Sequence, residues 1–600
     1  MKLASVIHSD SLRQSTQLQF GGYKALGTEG EMRDMENLCS DYWPELASRP
    51  KRYHAFTTSD PQGMAAADQL FCVFDDVLNY FDTDMNATAV QLSALGVERK
   101  FAKIGDYMTV WPDKVAINLN DNSKTPLAHT SSHVAGYVFS LPGTYSSERN
   151  CLYILKSDKF YDSDLHEGDA VTISGCKVYP ENNKTLIIRE MQDYSNHWRI
   201  YFDDYALTWP NQQKLVLTAA INAGDYYADV GCSDYAVIIK DLPATDAGEF
   251  VYVRLKSDVS ATYTFDDITG IYTPRGDRWL EFSSAPLDWS QQDLPDDTYM
   301  LSFTKERCRK NKVGLSWYEY MEIAREVPDL DYVIQHDNRL MGVAGDTIYI
   351  SRWGDPFNWN YFDGSSADSY TTETGTPGSF TGAISYGGYP RFFKENHIFT
   401  LYGDYPAEYQ LVTNRSMGVA PGSWKSLAIG DGKLFYLSLY GPCVYNGGEP
   451  YLIADAFGVD RYHDGVGASD DRKYYLGMLD ENGDPVQFVY DIRLGLWMKE
   501  DTVSLMALVC WFGNIFRMDN DGNVDCMGRP VWIPTGATEE DPVEWYAEFG
   551  DIAYGLPARK RITKISLRLK TEEATAVKVL MQFDAENNWR TVAQAAAPSK

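Results

Sequence analysis

Between Asp331 and Tyr361 the chain reads DYVIQHDNRLMGVAGDTIYISRWGDPFNWNY, and no other stretch limits the possible folds so sharply. Tyr332 and Ile334, Leu340 and Gly342, then Ile348 and Ile350 alternate with polar neighbours. A period of two puts one face of a strand in a core and the other in solvent, whereas a helix needs apolar residues three and four apart. Asp337-Asn338 and Gly345-Asp346 break the pattern at turn positions. Gly354-Asp355-Pro356 then supplies a residue free of φ restriction, a carboxylate able to accept a local backbone bond, and a proline with preset φ. Trp353, Phe357, Trp359 and Tyr361 surround this turn and are too large to leave in water, so the turn is expected to pack against a neighbouring sheet or subunit. With Arg339, the residues Trp353, Gly354, Asp355, Pro356 and Trp359 form the candidate structural and interface motif.

The same strand-and-turn unit recurs at about 331–370, 378–414, 418–456, 470–500 and 502–535, and an earlier copy lies within 69–118. The predicted class is mainly β: a β-propeller of about six blades, each a short antiparallel sheet, closed so that no sheet edge is exposed. The expected division is an arm and extended segment at 1–60, a first blade at 61–120, an inserted β-rich domain at 121–328, the remaining blades at 329–540, and a β-sandwich-like segment at 541–600. Residues 1 to about 25 read as an extended arm that orders only by pairing with something else. Within the insertion, Ala170–Ser174 and Thr185–Arg189 read as strands, Asn211–Ala223 and Trp317–Glu326 as helices. Glu31–Leu38 also reads as a short helix. Near the end, KISLRLK (564–570) and VKVLMQF (577–583) alternate, and the tail AAAPSK reads as frayed.

DNRLMGVAGDTIYISRWGDPFNWN resembles the signature of a family of bacteriophage virion proteins, the stabilisation proteins, which are similar to the tail-nozzle β-propellers of short-tailed phages. DMENLCSDYWPELASRPKR (34–52), KIGDYMTVWPDKVAIN (103–118), GDAVTISGC (168–176), ENNKTLIIRE (181–190) and the run from Gly378 to Gly448 fit the same family, so the resemblance follows most of the chain in order. It implies a structural component of a phage tail: a nozzle or hub ring, six-fold, forming part of the genome-ejection conduit and assembled in the host cytoplasm. Its partners would be copies of itself and other tail or head–tail connector proteins, with genome DNA passing unbound. It implies no enzyme, cofactor or metal.

Composition bears on the alternatives. A net charge of −30 argues against gripping nucleic acid, because phosphate binding draws on clustered Lys and Arg. The 9 cysteines form no CxxC pair, which fits a reduced compartment better than a disulfide framework. The start, MKLASVIHSD, lacks the apolar run of a signal peptide, and Leu505–Phe512 is far too short to span a membrane. HExxH, GxSxG, GxxxxGK and helix-opening GxGxxG motifs are absent. Asp519, Asp521, Asn523 and Asp525 have the flavour of a calcium loop but lack its spacing and read as a hairpin turn, as do Asp480, Glu481 and Asp484. His336 and His397 read as polar rim residues, and Arg49-Pro50-Lys51-Arg52 either as a solvated or salt-bridged turn or as a contact for an acidic partner surface. Two other readings are a propeller glycoside hydrolase or depolymerase, which needs two carboxylates in a cleft, and a sugar- or receptor-binding module with exposed aromatic platforms.

Overall fold

The computed structural model describes residues 18–138 apart from 19 and 46, 151–155, 165–174, most of 181–206, short strand segments between 220 and 300, 316–553 apart from 363, and part of 562–596. Among these the chain is nearly all β, with three short 3-10 turns and no α-helix. Seven antiparallel sheets follow one another as blades. Blade 1 runs from Pro61–Ala66 to Ala87–Gln91 and blade 2 from Lys100–Ile104 to Lys124–Pro126. Blade 3 spans Tyr332–His336 to Tyr370–Glu373, blade 4 Phe380–Tyr386 to Gln410–Arg415, blade 5 Ala428–Gly430 to Tyr451–Leu452, and blade 6 Tyr462–Ser469 to Leu496–Asp501. Blade 7 has three sequential strands, Leu505–Trp511, Asn514–Asp519 and Asn523–Met527.

A single sheet buries one face poorly, and the ring solves this by packing blade on blade. Phe71 and Leu78 of blade 1 share a buried cluster with Met108 and Val110 of blade 2. Trp111 meets Leu340 across the seam of blades 2 and 3, Ile348 meets Phe399 between 3 and 4, and Phe393 meets Tyr436 between 4 and 5. Phe435 meets Tyr474, Tyr475 meets Ile515, and Trp511 and Phe516 of blade 7 return to Leu70 and Phe81 of blade 1. The ring is therefore closed, and it has seven blades rather than about six. The expected single blade at 61–120 is two: Leu70–Phe74 and Val77–Phe81 are the middle strands of one, while Lys100–Ile104 and Tyr107–Trp111 open the next. The flanking strands PQGMAA and ATAVQ of blade 1 carry few large apolar residues, so the alternation signal fades there.

Closure is made by the N-terminal part of the chain. Tyr53–Thr57 pairs antiparallel with Asn523–Met527 as the fourth strand of blade 7, and Thr538–Glu539 adds outside it. Just before that strand, Arg52 is buried and pairs with Glu500 and Asp501, while Arg49 makes a two-pronged contact with Glu540 at 2.7 and 2.9 Å. Arg517 adds ion pairs to Asp501 (3.0 Å) and Asp525 (2.7 Å). The basic cluster at 49–52 is thus the salt-bridged turn of the two readings, sunk into the closing blade. Glu31–Leu38 is not helical: Met32–Glu36 pairs with Tyr546–Phe549, and a register shift between Met32 and Asp34 buries both Met32 and Met35, mimicking helical spacing. Of the expected arm, residues 1–17 lie outside the described residues, whereas Tyr23 packs on the core of blades 5 and 6.

Between Pro126 and Tyr332 the described residues of the insertion include two small sheets, besides three two-stranded pairs between 220 and 300. His129–Val138, Ser316–Arg325, Ala170–Ser174 and Thr185–Ile187 make one, and Cys151–Leu155, His197–Tyr201 and Glu190–Asp193 the other, around Val171, Ile173, Trp198 and Ile200. The two strands expected at 170–189 are present. Trp317–Glu326 is a central strand rather than a helix, because pairing on both edges overrides its local preference. The helix expected at Asn211–Ala223 falls mostly outside the described residues, and its end, Ala220–Ile221, is strand. The described residues from 551 onward belong to a unit separate from the blades. There Ala576–Met581 pairs with Arg590–Ala596, so the strand expected at 577–583 exists and part of the tail expected to fray is its partner. Lys564–Ser566 is not strand, and 567–570 lie outside the described residues. Tyr546–Phe549, assigned from sequence to the C-terminal segment, pairs instead beside the propeller.

Arg52→Ala leaves the buried Glu500 carboxylate without its ion-pair partner and Asp501 with Arg517 alone, and is expected to cost about 3–5 kcal/mol in urea unfolding. Lys24→Ala, which removes an exposed 2.7 Å pair with Glu31, should cost at most about 0.5 kcal/mol. Burial pushes the Asp501 and Glu540 carboxyls upward, but the guanidiniums of Arg52 and Arg517 at Asp501, and of Arg49 at Glu540, outweigh it and hold both below the usual range. Their stabilisation is therefore present above the ordinary carboxylate pKa of about 4 and is lost only as pH falls through the lower folded values. The protection of the Tyr53–Thr57 amides, taken relative to their intrinsic exchange rate at each pH, should fall below about pH 4 and hold above it.

Candidate functional site

The sequence motif forms a long loop, residues 351–369, between the third and fourth strands of blade 3. Arg339 is wholly buried, and its guanidinium donates to the carbonyls of Ser351 (2.9 Å), Ser366 (2.6 Å) and Asp368 (2.5 Å), gathering both ends of the loop on one cation. Gly354 sits at φ +73°, where its N–H reaches the Asn338 carbonyl at 2.7 Å. The Asp355 carboxylate accepts the Phe357 N–H at 2.9 Å, the local bond its position implied. The Pro356 carbonyl accepts the Trp359 indole N–H at 2.9 Å. Trp359 is buried edge-on to Trp111, 6.4 Å between centroids, in the seam of blades 2 and 3. Trp353 departs from expectation: it is 55% exposed.

What the loop packs against is the inserted domain. The Phe357 ring stacks on His166 at 5.8 Å and 12°, lies under the Arg325 guanidinium at 5.2 Å, and takes the edge of Tyr107 from blade 2 at 5.7 Å. Arg352 pairs with Glu167 at 2.9 Å and covers the Tyr361 ring at 4.1 Å. The Asn358 amide donates to the Glu167 carbonyl. Gly168, at φ +92°, has no room for a Cβ, which would overlap the Asn358 side chain. Asp169 is buried beside this contact, accepts the His166 N–H at 3.0 Å and stands 4.0 Å from the Arg325 guanidinium. Burial pushes the Asp169 and Asp355 carboxyls above their usual range. The arrangement is a keyed seam that fixes the insertion to blades 2 and 3. Sequence reasoning found its propeller side and missed His166, Glu167 and Arg325, although the Gly168-Asp169 turn lay in a segment already singled out.

A second constellation lies on the propeller axis, around which the first strands of neighbouring blades lie side by side. The linker from blade 4 to blade 5 carries Trp424 and Lys425. Lys425 donates to the Met506 carbonyl of blade 7 at 2.9 Å and pairs at 3.0 Å with Glu98, just before blade 2. Blades 2 and 5 stand on opposite sides of a seven-blade ring, so this contact crosses one mouth of the axis. Trp424 meets Tyr332 at 5.8 Å, and Lys100 lies over both rings at 6.0 and 5.3 Å.

The remaining candidates are structural. The Asp519 carboxylate accepts the Asn523 backbone and amide N–H at 2.7 and 2.9 Å, which makes a hairpin turn, and Asp525 is spent on Arg517 and His54. Asp480 holds its own turn through the Asn482 and Asp484 N–H groups. His336 bonds Ser385 at 2.8 Å, and His397 lines a shallow groove with Arg415. Among the described residues no group of three His, Cys, Asp or Glu side chains is placed to hold a metal.

If the seam is what holds the insertion, Gly168→Ala should raise protease cleavage within residues 127–331 while leaving the main unfolding transition of the blades in place. Asp355→Ala should cost about 1 kcal/mol for its lost backbone bond, and Trp353→Ala less than about 0.5 kcal/mol.

No family model and no curated protein matches the chain. Among solved structures it is similar to Hsv2 of Kluyveromyces lactis at 11% identity, covering 33% of this chain and 60% of that one with a TM-score of 0.23. It is similar to BamB of Moraxella catarrhalis at 12% identity (35% and 74% covered, TM-score 0.22) and to virginiamycin B lyase of Staphylococcus aureus at 11% (34% and 82%, TM-score 0.20). The chain thus spans under two thirds of the length of the Hsv2 chain it matches, and likenesses this distant say nothing of activity.

Proposed function

We propose that this protein is a structural component of a bacteriophage tail, a nozzle or hub subunit working in several copies around the genome path. The observation that carries the reading is the seam: the loop RWGDPFNWN, through which the family resemblance runs, is the part that locks a lateral domain onto a closed propeller. A rigid ring with a keyed side domain suits a subunit that must hold neighbours at fixed angles. Because Lys425 and Glu98 meet across one mouth of the propeller axis, a duplex would run between copies and not through a propeller. The partners are then copies of the chain and other tail or connector proteins, with the virion as its destination. Among the described residues no helix is long and apolar enough to cross a membrane.

Two measurements test this. Antibody against the chain should label the tails of intact particles, and absence from purified particles overturns the reading. Full-length protein should show no retention of duplex DNA even at low salt, where phosphate contacts are strongest; retention that falls steeply with salt would mean the chain grips DNA.

A further inference from the structure

Among the described residues four large apolar side chains exceed 70% exposure: Leu95 (77%), Val459 (75%), Val531 (73%) and Leu26 (72%). Three of them fall in two patches of opposite charge. The first is a 590 Å³ groove on blade 7, where Val531 and Ile533 (55% exposed) stand between Lys51 and Arg529, with Phe512 (56%) at the adjoining turn. Its floor is preformed: Val531 N–H donates to the Asn514 side chain at 2.7 Å, Asn514 donates back to the Trp532 carbonyl at 2.7 Å, and Trp532 packs edge-on to Trp511 at 5.3 Å. Glu539, the one carboxylate of the groove, is paired with Lys51 at 3.1 Å. The second is a ridge where blade 5 passes to blade 6. Leu26 lies on Gly458 beside Val459, with the exposed carboxylates of Asp455 and Asp460 around them. Arg461 turns back to the Val459 and Asp460 carbonyls. This ridge is also fixed, since Ala25 N–H donates to the Ala456 carbonyl at 2.8 Å and Tyr23 N–H to the Trp497 carbonyl at 2.7 Å.

Exposed apolar side chains on rigid backbone mark contact surfaces. In a chain of net charge −30, a second copy is repelled everywhere except where a cationic surface meets a carboxylate-bearing one. The groove adjoins a turn between the first and second strands of its blade and the ridge lies in a blade-to-blade linker, which in an antiparallel meander puts them on opposite faces of the propeller. We propose that the cation-rimmed groove of one copy receives the carboxylate-rimmed ridge of the next, head to tail. The contact is heterologous, as a ring of copies requires, and it rests on the reading above that the protein works in several copies.

The test uses the full chain and two double variants, Val531→Glu with Ile533→Glu in the groove, and Leu26→Glu with Val459→Glu on the ridge. All four positions are exposed, and circular dichroism with unfolding midpoints checks that both variants fold. By light scattering from micromolar protein upward, wild type is expected to assemble and each variant alone to lose at least about tenfold of its assembled fraction, the tenfold that about 1.4 kcal/mol of contact energy would give. Mixed, the two variants should form a one-to-one dimer and nothing larger, because only one intact groove and one intact ridge remain. Assembly of the variants equal to wild type overturns this contact and leaves the multi-copy reading standing, as does loss of assembly with no dimer on mixing, which would mean a two-fold contact. A wild-type chain monomeric in solution and single in the particle overturns both.

Discussion

The ring depends on one pairing, that of Tyr53–Thr57 with Asn523–Met527, which joins residues more than four hundred positions apart. Without it blade 7 keeps three strands and presents a raw edge, and the seam from Trp511 to Leu70 loses its restraint. Backbone hydrogen bonds alone make a five-residue strand marginal, since each is worth about 1 kcal/mol net and the entropy of closing so long a loop opposes them. The buried guanidiniums of Arg49, Arg52 and Arg517 supply the specificity. Each would be costly unpaired, so the chain is held to the one register in which Glu500, Asp501, Asp525 and Glu540 all face a cation.

That long-range step is what the sequence hides. Strand alternation and Asx-Gly turns made the blades from 331 onward legible, because those signals are local to each hairpin, as at Lys473–Asp480 and Pro485–Asp491. The closing strand YHAFT carries no mark of its partner, and its basic preface reads equally well as a surface turn. Met32 and Met35 misled for a different reason: a bulge lets residues three apart face the same core, which periodicity reads as helix. Ser316–Arg325 misled because both its neighbours in the sheet come from more than 140 residues away.

The candidate site was half legible on the same logic. Gly354, Asp355 and Pro356 announce their turn, since a positive φ, a side-chain acceptor and a fixed φ act within a few residues. What the turn serves depends on His166, Glu167 and Arg325, which reach it through the tertiary fold. The buried Arg339 is intermediate: its burial follows from the strand pattern, but its work, collecting carbonyls from both ends of a long loop, is visible only once the loop is closed.

The acidic surplus looks different once the carboxylates are located. Asp82, Asp113, Asp346, Asp470, Asp480, Asp491 and Asp519 each accept backbone N–H groups at a turn or linker. A seven-blade ring has a turn at almost every strand end, and Asp fits those turns better than any cationic residue can, because its short side chain accepts the local N–H. Part of the net charge of −30 is therefore a consequence of turn chemistry repeated around the ring, carried on both faces. Under the proposed tail reading, such a surface would repel DNA without having been shaped for it. It also makes cationic, apolar ground scarce, and scarcity is what would give the groove at Lys51 and Arg529 its selectivity for a carboxylate-rimmed partner.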